Sequence, residues 1–200
     1  MPPRTANPSA RQTHLLEAAY AYALTHGLAD LSLRPLAEAI GSSTRVLMFL
    51  FGNKDGLVRA LLERARTDEL TLLARLRRAD RPVGLVPAAE LVWAWLAAAE
   101  HRPLLRLWAE AYARSLVEPG GPWAGFARAT VDDWLDVLAA CQPRPERDGP
   151  DGAVRRTLAL AVLRGALLDL LATDDEQRVT AAVHRHLEML RCDGDGGDGA

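Results

Sequence analysis

Apolar residues recur every three or four positions along most of the chain, and stretches that alternate strictly between apolar and polar residues are scarce. The three-to-four spacing brings apolar side chains onto one face of an α-helix, whereas strict alternation would indicate strands. The first such segment begins near Ser9, which can cap a helix, and extends to about His26, where Gly27 ends it. The whole pattern predicts an all-α protein of about nine helices.

Two short helices follow in close succession. Ser32 is the predicted N-cap of a helix over residues 33–40, and Gly41 ends that helix. Ser42 or Ser43 then caps a second short helix that reaches about residue 50. The order of elements is therefore a long helix, a short helix, a tight glycine turn and a second short helix.

This order is typical of a helix-turn-helix, whose second short helix can enter the major groove of DNA. Ala37 and Gly41 are small, so we expect them to let the two short helices cross closely. Many helical proteins without DNA activity also contain two short helices in a row. The pattern alone therefore makes DNA binding one candidate beside a helical ligand-binding or scaffold protein.

The remaining helices are longer and more apolar. Gly52 and Asn53 turn the chain into a helix predicted from about Lys54 to Arg78. An exposed loop is predicted over residues 142–152, which are rich in proline, glycine and charge. A disordered tail is predicted over residues 193–200, which are almost entirely glycine and aspartate. The other predicted helices occupy residues 87–100, 103–117, 123–140, 153–172 and 175–191.

Two of these helices carry expectations about burial. Residues 91–96 are apolar nearly all round, which predicts a central and buried segment. In the next helix, Arg106, Glu110 and Arg114 are four residues apart and are expected to form an outer charged stripe.

Charge is distributed unevenly along the 200 residues, although the net charge is only −2. Residues 1–66 contain eight basic and five acidic residues, whereas residues 67–200 contain 16 basic and 21 acidic residues. A mildly basic first third indicates an anionic partner for that part alone, although chance explains so small a difference equally well.

Little in the sequence points to catalysis, and we expect no catalytic residues, no metal and no cofactor. Cys141 and Cys192 lie far apart with no metal or redox spacing, which favours a reducing cytoplasm. His184 and Glu188 share a helix face, but two ligands do not make a metal site. A membrane span and a signal peptide are not expected either, because no apolar run is long enough.

One long segment resembles a known family. The stretch "SLRPLAEAIGSSTRVLMFLFGNKDGLVRALL" is similar to the DNA-binding domain of the tetracycline-repressor (TetR) family of bacterial regulators. The resemblance covers roughly residues 10–66 and includes the end of the first helix. The residues that match in register are Ser32, Leu33, Arg34, Leu36, Ala37, Gly41, Ser43, Leu47, Phe49, Phe51, Lys54, Asp55 and Leu57.

The resemblance implies a one-component transcriptional regulator, most simply a repressor that leaves its operator when a small apolar or aromatic effector binds. It implies a DNA-binding domain over residues 10–66 and an effector-binding and dimerisation domain over residues 67–192. It also implies a homodimer on double-stranded DNA and, for Lys54, a phosphate contact. Lys54 is the only lysine of the chain and begins a helix, where the helix dipole makes a positive charge unfavourable. A cation at this position therefore indicates binding of an anion from outside the protein. The alternative for Lys54 is a solvated surface position.

The second short helix departs from the family pattern at several positions. Val46 replaces a threonine, and Arg45, Met48 and Leu50 replace glycine, tyrosine and histidine. Arg45 either reads a guanine or grips a phosphate, and Arg34 either contacts DNA or pairs with Glu38. The predicted DNA contacts are Ser32, Arg34, Ser43, Thr44, Arg45, Met48 and Lys54, with Phe49 and Phe51 assigned to the core. Arg4 and Arg11 form either a minor-groove arm or part of a disordered start.

The body holds most of the aromatic residues. All five tryptophans lie between residues 93 and 134, where they form either an aromatic core or an effector pocket. The predicted pocket residues are Trp93, Trp95, Trp108, Tyr112, Trp123, Phe126, Thr130 and Trp134.

The last two helices are the predicted dimer interface, because small residues at four-residue spacing allow a close approach of a second helix. Packing within one subunit is the alternative. The predicted interface residues are Leu158, Ala161, Val162, Gly165, Leu168, Val179, Val183 and Leu187. Arg164 and Asp169 are interpreted as rim or intersubunit ion-pair residues.

Overall fold

The computed structural model describes residues 8–28, 30–77 and 82–195, and within them the side chains of residues 10–28, 30–71 and 82–192. These residues form ten α-helices and one 3-10 helix, and they include no strand, which confirms the all-α prediction. Arg4 of the predicted arm and residues 196–200 of the predicted tail lie outside the described residues.

The helices follow the predicted order with small shifts at their ends. Their bounds are α1 Pro8–His26, α2 Leu33–Ala39, α3 Thr44–Phe51, α4 Lys54–Arg77, α5 Leu85–Ala97, a 3-10 helix Ala99–His101, α6 Arg102–Val117, α7 Phe126–Cys141, α8 Arg144–Asp148, α9 Gly152–Thr173 and α10 Glu176–Asp195.

The ends of α1 show how local chemistry sets a helix. The helix begins at Pro8, where a missing N–H costs nothing, so Ser9 lies inside it and is not the cap that we predicted. Gly27 ends the helix with φ 77°, and its N–H donates to the Ala23 carbonyl at 2.9 Å.

The chain divides into two compact units. The head unit contains residues 1–68 and 103–127, and the body unit contains residues 69–102 and 128–200. The first division falls two residues beyond the predicted limit at residue 66. The sequence pattern did not indicate that α6 would belong to the head unit.

The head unit has its own apolar core. Leu36 of α2, Leu47 of α3 and Leu57 of α4 are fully buried together with Ala19 of α1 and Ala111 of α6. Because each helix contributes an apolar stripe to this cluster, the two short helices, which are too short to be stable alone, are held in place. Leu107, Trp123 and Phe126 complete the core.

The body unit is built around α5, α9 and α10, which pack on one another. The prediction for residues 91–96 was partly wrong, because the side chain of Leu91 is exposed. The core of this unit includes Ala88, Val92, Trp93, Leu160, Leu163, Leu167, Leu170, Val179, Val183, Leu187 and Leu190.

Two segments differ from the predicted loop and tail. The predicted loop at residues 142–152 contains the short helix α8, and the buried Gln142 in it donates to Glu146 and accepts from Arg156. The last helix continues to Asp195, three residues into the predicted tail. In the described residues, no helix is both long and apolar enough to span a membrane.

Candidate functional site

The turn between α2 and α3 depends on Gly41. This residue has φ 63°, a conformation that side-chain-bearing residues rarely adopt, and a Cβ added there would contact nothing within 4 Å. The N–H of Ser42 donates to the Ala37 carbonyl at 2.8 Å and closes the turn. We expected Gly41 to permit a close helix crossing, and that was wrong, because its backbone angle is the feature that requires glycine.

The helix α3 has one buried and one exposed face. Leu47 is 1% exposed and anchors the helix to the head core, while Ser43, Arg45 and Met48 are exposed. The hydroxyl of Ser43 accepts a 3.3 Å hydrogen bond from the Val46 N–H and caps the helix. The exposed face thus carries the predicted DNA contacts, with Thr44 half-buried beside them.

Phe49 lies on this exposed face, so its assignment to the core was wrong. Its side chain is 84% exposed, whereas Phe51 is half-buried and packs against the head core. Leu47 and Phe51 are four residues apart and share the core side, and Phe49 is displaced from Leu47 by about 200° around the helix axis. That spacing would have identified Phe49 as an outward residue.

The start of α4 is held tightly against the end of α3. Gly52 turns the chain with φ 81°, and the side-chain oxygen of Asn53 accepts a 2.8 Å hydrogen bond from the Gly56 N–H. A Cβ on Gly56 would overlap the Phe51 carbonyl oxygen. Lys54 is exposed at this corner, at the start of α4 and directly after α3.

Two further predicted contacts lie at the start of α2. Ser32 is in the N-cap position, is exposed, and makes no capping hydrogen bond with its side chain. Arg34 is exposed as well, and the described side chains form no ion pair between Arg34 and Glu38. On α1, Arg11 is exposed and Gln12 donates to the Leu50 carbonyl at 3.1 Å, which ties α1 to α3.

A polar cluster that the sequence pattern did not indicate connects α1 to α4. Arg64 donates to Glu17 at 2.6 Å and to Asp68 at 2.5 Å, and its guanidinium lies 4.7 Å from the centre of the Tyr20 ring. The Tyr20 hydroxyl donates to Asp68. Burial, followed by this hydrogen bond, raises the pKa of Tyr20 above its usual range.

The predicted effector residues are shared between the two units. In the body unit, the indole N–H of Trp93 donates to the Thr180 hydroxyl at 3.1 Å, and Trp95 stacks on His101 with ring centres 4.2 Å apart. Trp134 donates its indole N–H to the buried carboxylate of Glu69, and Thr130 is buried.

In the head unit, the rings of Trp108 and Tyr112 lie 5.0 Å apart on α6. Trp123 and Phe126 are buried in the head core, and Trp123 precedes α7, which begins at Phe126. The eight predicted residues therefore do not lie within one unit.

The predicted dimer residues separate into exposed and buried groups. On α9, Ala161 and Gly165 are exposed, and Leu158 and Leu168 are 46% and 49% exposed, with Val162 half-buried. On α10, the side chains assigned to the interface are buried within the body unit. The residues concerned are Val179, Val183 and Leu187. Their assignment to the interface was wrong, because the apolar stripe of α10 packs on α5 and α9.

Two charged positions also differ from expectation. Asp169 accepts two hydrogen bonds from Arg178 of the same chain, at 2.8 and 2.9 Å, and this pairing lowers the pKa of Asp169. Glu110 is not part of an outer stripe, because it accepts a hydrogen bond from the Leu28 N–H.

Glu188 pairs with Arg185, and among the described side chains no group of three His, Cys, Asp or Glu residues is arranged to hold a metal.

Comparison with known proteins agrees with the geometry of the head unit. Residues 15–61 match the sequence profile of a family described as bacterial regulatory proteins, tetR family. A comparison by sequence with curated proteins finds no match. A transcriptional regulator from Rhodococcus sp. Rha1 has a similar fold, with 22% identity, a TM-score of 0.72, and coverage of 89% of this chain and 94% of that chain.

Two similar structures contain small molecules. The SmeT–triclosan complex is 19% identical, with a TM-score of 0.67 and coverage of 89% of this chain and 90% of that chain. The multidrug binding protein EbrR complexed with proflavin is 23% identical, with a TM-score of 0.61 and coverage of 88% of this chain and 98% of that chain. At such identities the likeness shows the fold alone.

Proposed function

We propose that this chain is a TetR-type regulator that acts as a homodimeric repressor, which a small apolar or aromatic effector releases from operator DNA. The match of residues 15–61 to the tetR family and the similar fold of a transcriptional regulator support this proposal. In this proposal residues 10–66 bind DNA in the cytoplasm, and residues 67–192 bind the effector and form the dimer. The observation that carries the proposal is the exposed face of α3.

The exposed face of α3 has the chemistry that reading DNA requires. Arg45 extends from the first turn of the helix, where a guanidinium can bind the edge of a guanine or a phosphate. Met48 is 50% exposed and offers an apolar contact to a thymine methyl group. Lys54 lies just beyond the end of α3 and supplies a cation for the phosphate backbone.

A second copy of the chain is the proposed cover for the exposed face of α9. Val154, Leu158, Ala161, Gly165 and Leu168 alternate at spacings of four and three residues, which is the pattern of a seam between helices. Leu158 and Leu168 would otherwise leave apolar surface in water. A dimer would present two DNA-binding domains to half-sites about 34–36 Å apart on the duplex.

An aromatic effector is supported by the tryptophans of the body unit and by the two ligand complexes of similar fold. Triclosan in SmeT and proflavin in EbrR are bound by proteins that share this architecture. Trp93, Trp95 and Trp134 supply apolar ring surface, and Thr130 supplies a hydroxyl. The coupling required between effector and operator is about 1–3 kcal/mol, which changes DNA affinity roughly 5–150-fold.

The proposal is tested by measuring binding of the purified protein to its own upstream intergenic DNA across a salt series. An unrelated fragment of equal length is the control. We expect tight and salt-sensitive binding that prefers the upstream fragment. Equal and weak binding to both fragments at low salt would instead indicate a helical ligand-binding protein without sequence-specific DNA activity.

A further inference from the structure

Phe49 is the most exposed large apolar side chain among the residues whose side chains the structure describes. Its exposure of 84% exceeds that of Met48, its neighbour on α3, at 50%. Covering a side chain of this size is favourable in proportion to the apolar area that leaves water. Single exposed apolar residues are common on protein surfaces, so the position of Phe49 decides what its exposure means.

The packing of α3 fixes the outward direction of Phe49. Leu47 is buried and Phe51 packs against the head core, so the inner side of the helix is already occupied. The end of the helix is tied as well, because the Leu50 carbonyl accepts a hydrogen bond from Gln12 of α1. A rotation of α3 that turned the Phe49 ring inward would expose Leu47. The ring therefore stays outside the core.

Phe49 has nearly the same direction as Arg45. The two residues are four apart, which places them about 40° apart around the helix axis and about 6 Å apart along it. Lys54 follows the end of the same helix, so Phe49 lies along the chain between two exposed cations. The helix α3 contains no acidic residue. Positive charge on both sides of the ring favours a polyanion as the molecule that covers it.

The chemistry of the Phe49 side chain limits what it can contact on DNA. A phenyl ring has no group that forms an ordinary hydrogen bond, so it cannot bind a phosphate or the polar edge of a base. The apolar surfaces within reach of a major-groove helix are the C5-methyl group of thymine and the sugars that border the groove. Only the methyl group depends on the base sequence. Because Phe49 is aligned with Arg45, the proposed reader of a base or phosphate, the ring is placed for the methyl group.

We propose that Phe49 determines sequence specificity by packing its ring on the C5-methyl group of a thymine in each operator half-site. This inference rests on the proposed function, because it requires α3 to enter the major groove. It adds a second apolar reader of thymine beside Met48. The contact requires no rearrangement of the head core, since the ring is already exposed in the free protein.

Uracil lacks only the C5-methyl group of thymine, so uracil-substituted DNA tests the contact directly. The probes are the upstream intergenic fragment prepared with thymidine and the same fragment prepared with deoxyuridine throughout. Burial of one methyl group contributes about fourfold in affinity. In fluorescence anisotropy we expect the parent to prefer the thymidine fragment by at least about fourfold. We expect Phe49→Ala to reduce that preference by a factor of at least about four.

Met48 does not obscure this comparison. Its proposed contact with a thymine methyl group is present in the parent and in Phe49→Ala alike, so the change in preference belongs to Phe49. Phe49→Leu retains apolar surface and should keep part of the preference. Thermal unfolding of each variant verifies that it is folded.

Two controls separate the contact from general effects. Leu116→Ala removes an exposed apolar side chain of α6 in the head unit and should keep the parental preference for thymidine. An unrelated fragment of equal length, prepared with thymidine or with deoxyuridine, measures how far uracil alters DNA binding without sequence recognition.

The possible failures differ from one another. If the parent prefers the upstream fragment but Phe49→Ala keeps the parental preference for thymidine, this inference is wrong and the proposed function stands. Equal weakening of Phe49→Ala on the thymidine and deoxyuridine fragments would also overturn it, because that result indicates a contact with the sugars. A parent protein that does not distinguish the upstream fragment from the unrelated one contradicts the proposed function, and this inference with it.

Discussion

The hydroxyl of Tyr20 on α1 donates a 2.9 Å hydrogen bond to Oδ2 of Asp68 on α4. The Arg64 guanidinium binds the other oxygen of Asp68 and lies over the Tyr20 ring. Tyr20 is buried in the head core, so its hydroxyl would have no solvent in place of this partner. The pair thus links the first helix of the DNA-binding domain to α4.

Replacement of Tyr20 by phenylalanine is expected to destabilise the protein by about 1–3 kcal/mol, because the hydrogen bond from the buried tyrosine to the charged, partly exposed carboxylate of Asp68 is lost. The free energy of unfolding in urea measures this loss. Tyr22→Phe is the matched control, since the described contacts of Tyr22 are a ring stack on His26 and none of its hydroxyl. Equal losses in both variants would contradict the assigned role of the Tyr20–Asp68 bond.

The same hydrogen bond predicts a loss of stability in alkali. The pKa of Tyr20 is raised in the folded protein, whereas an unfolded tyrosine ionises near pH 10, about its usual value. Above that pH the unfolded chain releases a proton that the folded chain retains, so the free energy of unfolding falls as pH rises. Unfolding measured between neutral pH and pH 11 should show a smaller decline for Tyr20→Phe than for the parent.

Arg45→Ala and Lys54→Ala are expected to weaken operator binding in different ways. Loss of a phosphate contact at Lys54 should weaken binding to all sequences alike and reduce the salt slope by about one unit. Loss of a base contact at Arg45 should cost about 1–3 kcal/mol at one operator position and relax specificity there. Fluorescence anisotropy with single-base operator variants separates the two outcomes.

The control for both variants is an exposed arginine of the body unit, outside the proposed DNA-binding domain. Arg128 is exposed at the start of α7 and pairs with Asp132. Arg128→Ala should bind the operator like the parent. If Arg45→Ala and Lys54→Ala also retain parental affinity and salt dependence, the assignment of the DNA-binding face is wrong.

Phe49 and Leu47 should respond in opposite ways to truncation. Phe49→Ala removes a side chain that is already in water, so stability should change by no more than about 0.5 kcal/mol. Leu47→Ala leaves a cavity in the head core and should cost about 2–5 kcal/mol. Thermal unfolding of the two variants measures the difference, and a large loss for Phe49→Ala would show that its exposure is misassigned.

Charge on the exposed face of α9 is expected to separate the proposed dimer. In Leu158→Glu/Leu168→Glu, like charges replace apolar contacts at the seam, so sedimentation should report a folded monomer. Leu116→Glu is the control, because Leu116 is exposed and belongs to α6 of the head unit, which is not part of the proposed seam. A dimer that persists in the double variant would exclude this face as the interface.

The amino-acid sequence by itself determined the helices and most of their ends. Gly27, Gly41 and Gly52 stop helices because their backbone angles suit glycine, and Ser43 caps α3 with its own side chain. Capping and hydrophobic periodicity depend on residues that are close together in the sequence, so helices and their ends can be predicted from the sequence alone. The prediction of a DNA-binding domain depended instead on the family resemblance of residues 10–66, because the order of helices alone is also found in proteins without DNA activity.

Only the tertiary structure decided which apolar faces are covered. α9 and α10 both carry apolar rows, but that of α10 is buried inside the body unit and part of that of α9 is exposed. Likewise, the spacing of charges on α6 predicted that Glu110 is a surface residue. In the structure its carboxylate accepts a hydrogen bond from the Leu28 N–H, which is 82 residues away in sequence. Such contacts depend on how distant helices pack, and periodicity within one helix carries no information about its neighbours.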